Sequence, residues 1–530
     1  MKKFLRNLFS GYILIFLFLL VELGIFIFAQ FFLDDLITVW SNNTAAPEEV
    51  RAWIGFIYLA FKVFTFIIAV IIFFKIIAKQ EDPEFKIPWI VGMLLMPLLV
   101  SVLFIIFGNH GLKKKEKKVV RANRKAFEAN YRVTDEKKEQ YIEELGRAAG
   151  AFNYIANTTG LGFYRHNQVT YYKNGEAFFP ALIEGLKQAK EFIFIEFFII
   201  DDGEEWSAVL DILKEKAAQG VNVKIIYDDM GCSGTISTRT PRILKKFGID
   251  CVKFHPFRPI LSGVYNNRDH RKIVVIDHLM GFTGGINLAD EYANIVERFG
   301  YWKDTMVKIE GCAINNLITV FLQNYSLSTY IIGDYNKYLD YTYPAYEDGG
   351  YVMPFGDGPG DIDQALVGEQ TYINILNYAQ KEVFISTPYL VPTYSLLDAL
   401  RNAALRGVKV HLIVPGIPDK KMVYLVAKSN FRYLLDAGVN IYFYTPGFNH
   451  MKTILADDEL ALVGTINFDF RSLVHHFECA ALLYKTECMK DIKADFLEML
   501  SVSDKVPRNF QLSGAARRFC ALIKLISPLL

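Results

Sequence analysis

One pattern occurs twice in this chain and dictates how the rest can fold. His270-Arg271-Lys272-Ile273-Val274-Val275-Ile276-Asp277 and His450-Met451-Lys452-Thr453-Ile454-Leu455-Ala456-Asp457 share the spacing His-x-Lys-x-x-x-x-Asp, 180 positions apart. Each copy runs into a small-residue turn with an asparagine, Gly284-Gly285-Ile286-Asn287 and Gly464-Thr465-Ile466-Asn467. The flanking chain is duplicated too. Lys190-Glu191-Phe192-Ile193-Phe194-Ile195 matches Lys381-Glu382-Val383-Phe384-Ile385, and Gln219-Gly220-Val221-Asn222-Val223 matches Arg406-Gly407-Val408-Lys409-Val410. From about residue 169 strands alternate with amphipathic helices, so the expected class is α/β, built as two similar halves with one motif each.

The aliphatic run inside each motif predicts a strand, on which residues i and i+2 point to one face. His270 therefore projects with Lys272, and His450 with Lys452. Two such halves would bring both pairs into one cleft, where ligand sites favour such junctions. The set suits phosphoryl or phosphatidyl transfer. One histidine attacks phosphorus while the other protonates the departing alkoxide and later deprotonates the incoming alcohol. The lysines, with Asn287 and Asn467, would hold the non-bridging oxygens. The lysines supply the positive charge, so no metal or other cofactor is expected. Asp277 and Asp457 are expected to orient the imidazoles. Glu196, inside an apolar strand, and Glu478 are expected near the cleft. His475 and His476 are assigned to surface or supporting positions, and His110, His166, His255, His278 and His411 to structural roles.

Charge and hydropathy point away from nucleic acid and toward a membrane. Residues 1–125 carry 16 Lys and Arg against 9 Asp and Glu, which leaves the remaining chain at −6. A nucleic-acid enzyme would place its basic excess on the catalytic part; here it flanks apolar runs over 11–33, 53–78 and 88–107, which are expected to be membrane-embedded. The basic block Lys113-Lys114-Lys115-Glu116-Lys117-Lys118 places the rest of the chain in the cytoplasm. The six cysteines show no metal-ligand spacing and are expected to be reduced. The expected layout is a membrane region over 1–110, a basic helical linker over 111–160, halves over 161–345 and 346–515, and an amphipathic tail over 516–530.

The paired motifs, with Trp302-Lys303-Asp304, Thr387-Pro388-Tyr389, Gly464-Thr465-Ile466-Asn467-Phe468-Asp469-Phe470-Arg471-Ser472 and the ending Ser527-Pro528-Leu529-Leu530, resemble the phospholipase D superfamily and, within it, bacterial cardiolipin synthases. The resemblance runs from about Pro88 to the C-terminus. It implies a duplicated phospholipase D-type α/β sandwich around one active site, in a multi-pass protein of the bacterial cell membrane. It also implies phosphatidylglycerol as substrate and cardiolipin and glycerol as products, with His270 as the nucleophile and His450 as acid and base. The chain departs from the family in carrying the additional run 11–33, and in having Asp269 where asparagine is common. Hydrolysis of phospholipids by the same residues is the alternative, and a non-catalytic membrane scaffold a third class. The oligomeric state is left open.

Overall fold

The structure, a computed structural model, describes residues 38–39, 47–108, 111–128, 141–256, 266–359 and 366–526. The run 11–33, His110 and the ending 527–530 lie outside the described residues. The chain forms two compact units, one ending at Asn109 and one beginning at His110.

In the first unit the helix Glu48–Ala78 has 31 residues, more than the roughly 20 that cross a bilayer. Among the described residues it is the one helix long and apolar enough to do so. Trp53, Phe56, Phe64 and Phe66 stand exposed along it. The run 88–107, expected as a single helix, is divided. Pro83–Leu95 ends at Met96 and Pro97–Phe107 begins anew, because Pro97 has no N–H to donate and its ring pushes the preceding residue out of the α region. Met96 accordingly takes φ −140° and ψ 75°. Ile72, Ile76, Trp89 and Met93 form the core of this unit, with Trp89 edge-on to Phe104.

Among the described residues the second unit holds two large sheets and two short two-stranded ones. The first has seven strands, from edge to edge Gln168–Tyr172, Met306–Glu310, Met280–Gly284, Lys272–Ile276, Phe192–Phe197, Asn222–Asp228 and Asp250–Phe254. The second has eight: Ser503–Lys505, Asn440–Tyr444, Lys409–Pro415, Glu382–Ser386, Thr453–Ala456, Leu460–Gly464, Glu478–Tyr484 and Tyr351–Asp357. In each sheet the motif strand lies antiparallel to the strand whose sequence is duplicated, Lys272–Ile276 on Phe192–Phe197 and Thr453–Ala456 on Glu382–Ser386. Helices cover these central strands, so Phe192–Phe197 is buried at every position, which is why it is a nearly unbroken apolar run.

The glycines closing the two hairpins are steric requirements. A Cβ on Gly284 would lie 2.4 Å from the Thr305 carbonyl oxygen, and one on Gly464 would lie 2.4 Å from the Ala480 Cβ. Gly284 is in register with Met306, and Gly464 with Ala480. Asp304 and Glu478, each two residues before these partners, therefore occupy equivalent places in the two halves.

The segment after the basic block is less of a linker than its polarity suggests. Helix Ala149–Thr159 buries Phe152 and Ile155 completely, and Phe152 packs edge-on to Phe163, Tyr351 and Tyr484. It belongs to the core beside the second sheet. The C-terminal helix Gly514–Ile526 docks on helix Lys421–Ala437 through the fully buried Cys520. Its Phe519 and Leu522 remain exposed. All six cysteines are free thiols.

Candidate active site between the two halves

Both motif histidines sit just before their strands, and each is stitched by its backbone to the opposite half. The His270 N–H donates to the Phe477 carbonyl at 2.9 Å, and the Phe477 N–H donates to the Arg268 carbonyl at 2.8 Å. The His450 N–H donates to the Lys303 carbonyl at 2.7 Å, where Gly447–Asn449 runs parallel to Tyr301–Lys303. The side chains repeat this exchange. Nδ1 of His270 lies 3.0 and 2.9 Å from the two carboxylate oxygens of Glu478. Nδ1 of His450 lies 2.5 Å from Oδ2 of Asp304. Each half thus supplies the carboxylate that orients the other half's imidazole.

Asp277 and Asp457, expected in that role, do something else. Oxygens of Asp277 accept from the backbone N–H groups of Lys190, Glu191 and Phe192 at 2.7, 2.9 and 2.6 Å. Those of Asp457 accept from Gln380, Lys381 and Glu382 at 2.8, 2.8 and 3.0 Å. Both residues have positive φ, 48° and 52°, a turn conformation that aspartate tolerates better than bulkier residues. They lie at the far end of the motif strand from the histidine and fasten that strand's turn to its neighbour.

The lysines stand directly behind the histidines, essentially without solvent exposure. Lys272 Nζ donates to the His270 carbonyl at 2.6 Å. Lys452 Nζ donates to the His450 carbonyl and lies 3.6 Å from Asp304. It also approaches His450 Nδ1 at 2.7 Å. One nitrogen cannot donate to Asp304 and accept from a lysine at once, and the shorter contact to the carboxylate decides in favour of Nδ1–H pointing at Asp304.

Burial governs the charges. It pushes Lys272 down to about 7, with Lys452 repelling it and Glu478 opposing the shift. It pushes Lys452 down to about 8 against the pull of Asp304. Burial, then Lys452, lowers His450 to about 4 although Asp304 pulls upward. His270 falls well below its ordinary value for the same first cause, despite Glu478. Burial works against the carboxylates as well, but His270 and His476 hold Glu478 well below the usual range. Lys452 and His450 hold Asp304 below it too. The resting site therefore pairs anionic carboxylates with neutral imidazoles. Each Nδ1–H is committed to a carboxylate, and Nε2, across the ring, is left with its lone pair.

His270 and His450 line one cleft of about 440 Å³, together with Asn287, Asn467, Tyr389 and Trp302. The asparagines are tied into their turns: Asn287 accepts from the Ile199 N–H at 3.0 Å and donates to the Tyr292 hydroxyl at 2.6 Å, and Asn467 donates to Ser472 at 3.0 Å. His476, expected in a supporting or surface position, lines the same cleft, its ring centroid 5.4 Å from that of His270. His475 is fully buried. Glu196, expected near the cleft, does not line it. Asn324 donates to it at 2.6 Å, Arg271 is 4.0 Å away, and burial raises its pKa. Asp304 is a site residue that sequence reasoning missed. The signal for it is the repeat itself, because Asp304 holds the position in the first half that Glu478 holds in the second.

Comparison with known proteins agrees with this architecture. The family described as "Cardiolipin synthase, PLD-like domain" matches residues 182–308 and 372–500, one copy per half. A cardiolipin synthase of Halalkalibacterium halodurans is 31% identical, over 90% of this chain and 95% of that protein. One of Geobacillus sp. is 34% identical, over 87% and 92%. An uncharacterised protein of Streptococcus mutans is 43% identical, over 86% and 98%. Among solved structures, the phosphatidylserine synthase of Haemophilus influenzae shares the fold, with a TM-score of 0.54 at 16% identity, over 73% of this chain and 100% of that one.

Proposed function

The chain belongs to the phospholipase D-type cardiolipin synthase family, and from that premise we propose that it is a membrane-attached enzyme converting two phosphatidylglycerols into cardiolipin and glycerol through a phosphatidyl-histidine. The observation that carries the reading is the exchanged pair of orienting carboxylates, Glu478 on His270 and Asp304 on His450, which leaves both Nε2 atoms available in one cleft.

In the first step Nε2 of His270 attacks phosphorus and the bond from phosphorus to the glycerol headgroup oxygen breaks. Nε2–H of His450 gives its proton to that oxygen, and glycerol leaves. A hydroxyl of a second phosphatidylglycerol then passes its proton back to His450 and attacks the same phosphorus, breaking the N–P bond. Lys272 and Lys452 offset the charge gathered on the non-bridging oxygens. His450 must enter protonated, and the phosphodiester anion counters the burial that otherwise keeps it neutral. The assignment of nucleophile to His270 follows the family resemblance. Helix Glu48–Ala78 would anchor the enzyme, with the catalytic unit on the cytoplasmic side.

The test uses purified protein in mixed micelles with labelled phosphatidylglycerol and a chelator. Cardiolipin from wild type, lost in His270→Ala and His450→Ala, is expected. Rapid quenching of the wild-type reaction in neutral denaturant, which spares the acid-labile N–P bond, should yield a phosphatidyl adduct on the peptide containing His270. Phosphatidic acid as the only lipid product would replace transfer with hydrolysis, and an adduct on His450 alone would invert the roles.

A further inference from the structure

The catalytic cleft does not end at the histidines. Tyr389, Lys420, Asp469 and Arg471 line it and also line a second depression of about 300 Å³. Past those four residues the character of the wall changes. It is made by Val391, Met422, Val423, Val426, Phe470 and Ile523, with no charged group among them. The floor comes from helix Lys421–Ala437, and Ile523 comes from the C-terminal helix Gly514–Ile526 docked against it.

We propose that this depression is an acyl-chain site, which holds one hydrocarbon tail of a phospholipid whose phosphate lies in the catalytic cleft. The proposal deepens the transferase reading and rests on it for the position of the phosphate. Three observations argue for this occupant. The depression adjoins the cleft across the four residues they share, close enough for a single amphiphile to lie in both. The two cationic residues, Lys420 and Arg471, stand at the junction, where a phosphodiester meets its glycerol backbone. Lys420 also lies 4.9 Å over the Tyr389 ring, and the Tyr389 hydroxyl is tied to Asp419 at 2.6 Å, so the junction is braced. Finally, apolar side chains stand exposed beside it: Met422 on the groove wall itself, and Phe519 and Leu522 on the C-terminal helix that supplies Ile523. A tail leaving a bilayer would meet carbon, not water, on its way in. An exposed apolar edge of this kind on a lipid-handling protein is where a chain enters, and it gives the docked C-terminal helix a purpose beyond covering Lys421–Ala437.

The proposal makes chain length a property of the groove. Val423 is half-buried at its wall, and Val423→Trp fills it. The ratio of kcat/KM for long-chain over dihexanoyl phosphatidylglycerol should fall at least tenfold in this variant. A ratio equal to that of wild type, whether both activities fall or neither does, overturns the assignment. A second measurement needs neither a variant nor turnover. Wild-type protein is irradiated in micelles with phosphatidylglycerol bearing a diazirine at the end of one tail, and the adducts are mapped by mass spectrometry. Adducts on the peptides carrying Val391, Met422 or Ile523 are expected. Adducts confined to residues 47–108 would sink the proposal. Groove adducts from a protein that makes no cardiolipin would overturn the transferase reading and leave the groove standing.

Discussion

Replacing Asp304 with asparagine keeps the shape of the site and removes one charge. The amide oxygen can still accept from the Thr305 N–H, as Oδ1 does at 2.8 Å. What disappears is the anion 2.5 Å from His450 Nδ1 and 3.6 Å from Lys452. In the proposed mechanism His450 is a cation when it donates its proton to the leaving group. Opposite charges about 4 Å apart at an effective dielectric near 20 attract by about 4 kcal/mol. A tenfold rate change corresponds to about 1.36 kcal/mol, so kcat should fall about a thousandfold. The amide adds a second fault, because its N–H₂ can donate to Nδ1 and move the ring proton to Nε2. KM should change little, since Asp304 is buried behind His450 and does not line the cleft. The assay is cardiolipin formation in mixed micelles over a range of phosphatidylglycerol concentrations, with thermal unfolding as a check on folding. A folded Asp304→Asn enzyme within tenfold of the wild-type kcat would refute the assignment of Asp304 as the orienting base.

The motif aspartate should behave oppositely: Asp277→Asn weakens three backbone hydrogen bonds to a buried carboxylate and is expected to cost about 2–3 kcal/mol of stability, measured by denaturant titration, while the folded fraction keeps kcat within about tenfold. The pH dependence of kcat/KM should be bell-shaped, with the alkaline limb set first by Lys272 at about 7 and then by Lys452 at about 8; activity falls as these cations lose their protons, and Lys272→Arg should carry the limb up toward the value of Lys452. Stability has its own signature. Lys272 has a folded pKa below its unfolded one, so the unfolded chain binds more protons between them and the cost of burying this lysine is full below about pH 7 and vanishes toward pH 10.5. The melting-temperature gain of Lys272→Met over wild type should therefore shrink as pH rises through that window. Phe152→Ala, at a fully buried position, should destabilise the catalytic unit by about 3–5 kcal/mol, visible in chemical denaturation; a change under about 1 kcal/mol would mean that helix Ala149–Thr159 is only a tether.

Much of this protein follows from local pattern. Each motif strand, the glycine and asparagine turn and the pairing of histidine with lysine depend on near neighbours in sequence, where side-chain alternation and steric need act directly. The length of Glu48–Ala78 is equally local. Pro97 is local as well, and dividing the run 88–107 there needs only the rule for the residue before proline. The orienting carboxylates are of another kind. Glu478 meets His270 across 208 residues and Asp304 meets His450 across 146. Spacing along the chain carries no information about such a contact. It exists because the two sheets dock so that the strand end of one half lies against the motif of the other. Asp277 and Asp457 share the motif with the histidines, but the strand between them carries the carboxylates away from the imidazoles. The two repeats are legible in the sequence; which half completes which histidine is decided only when they pack.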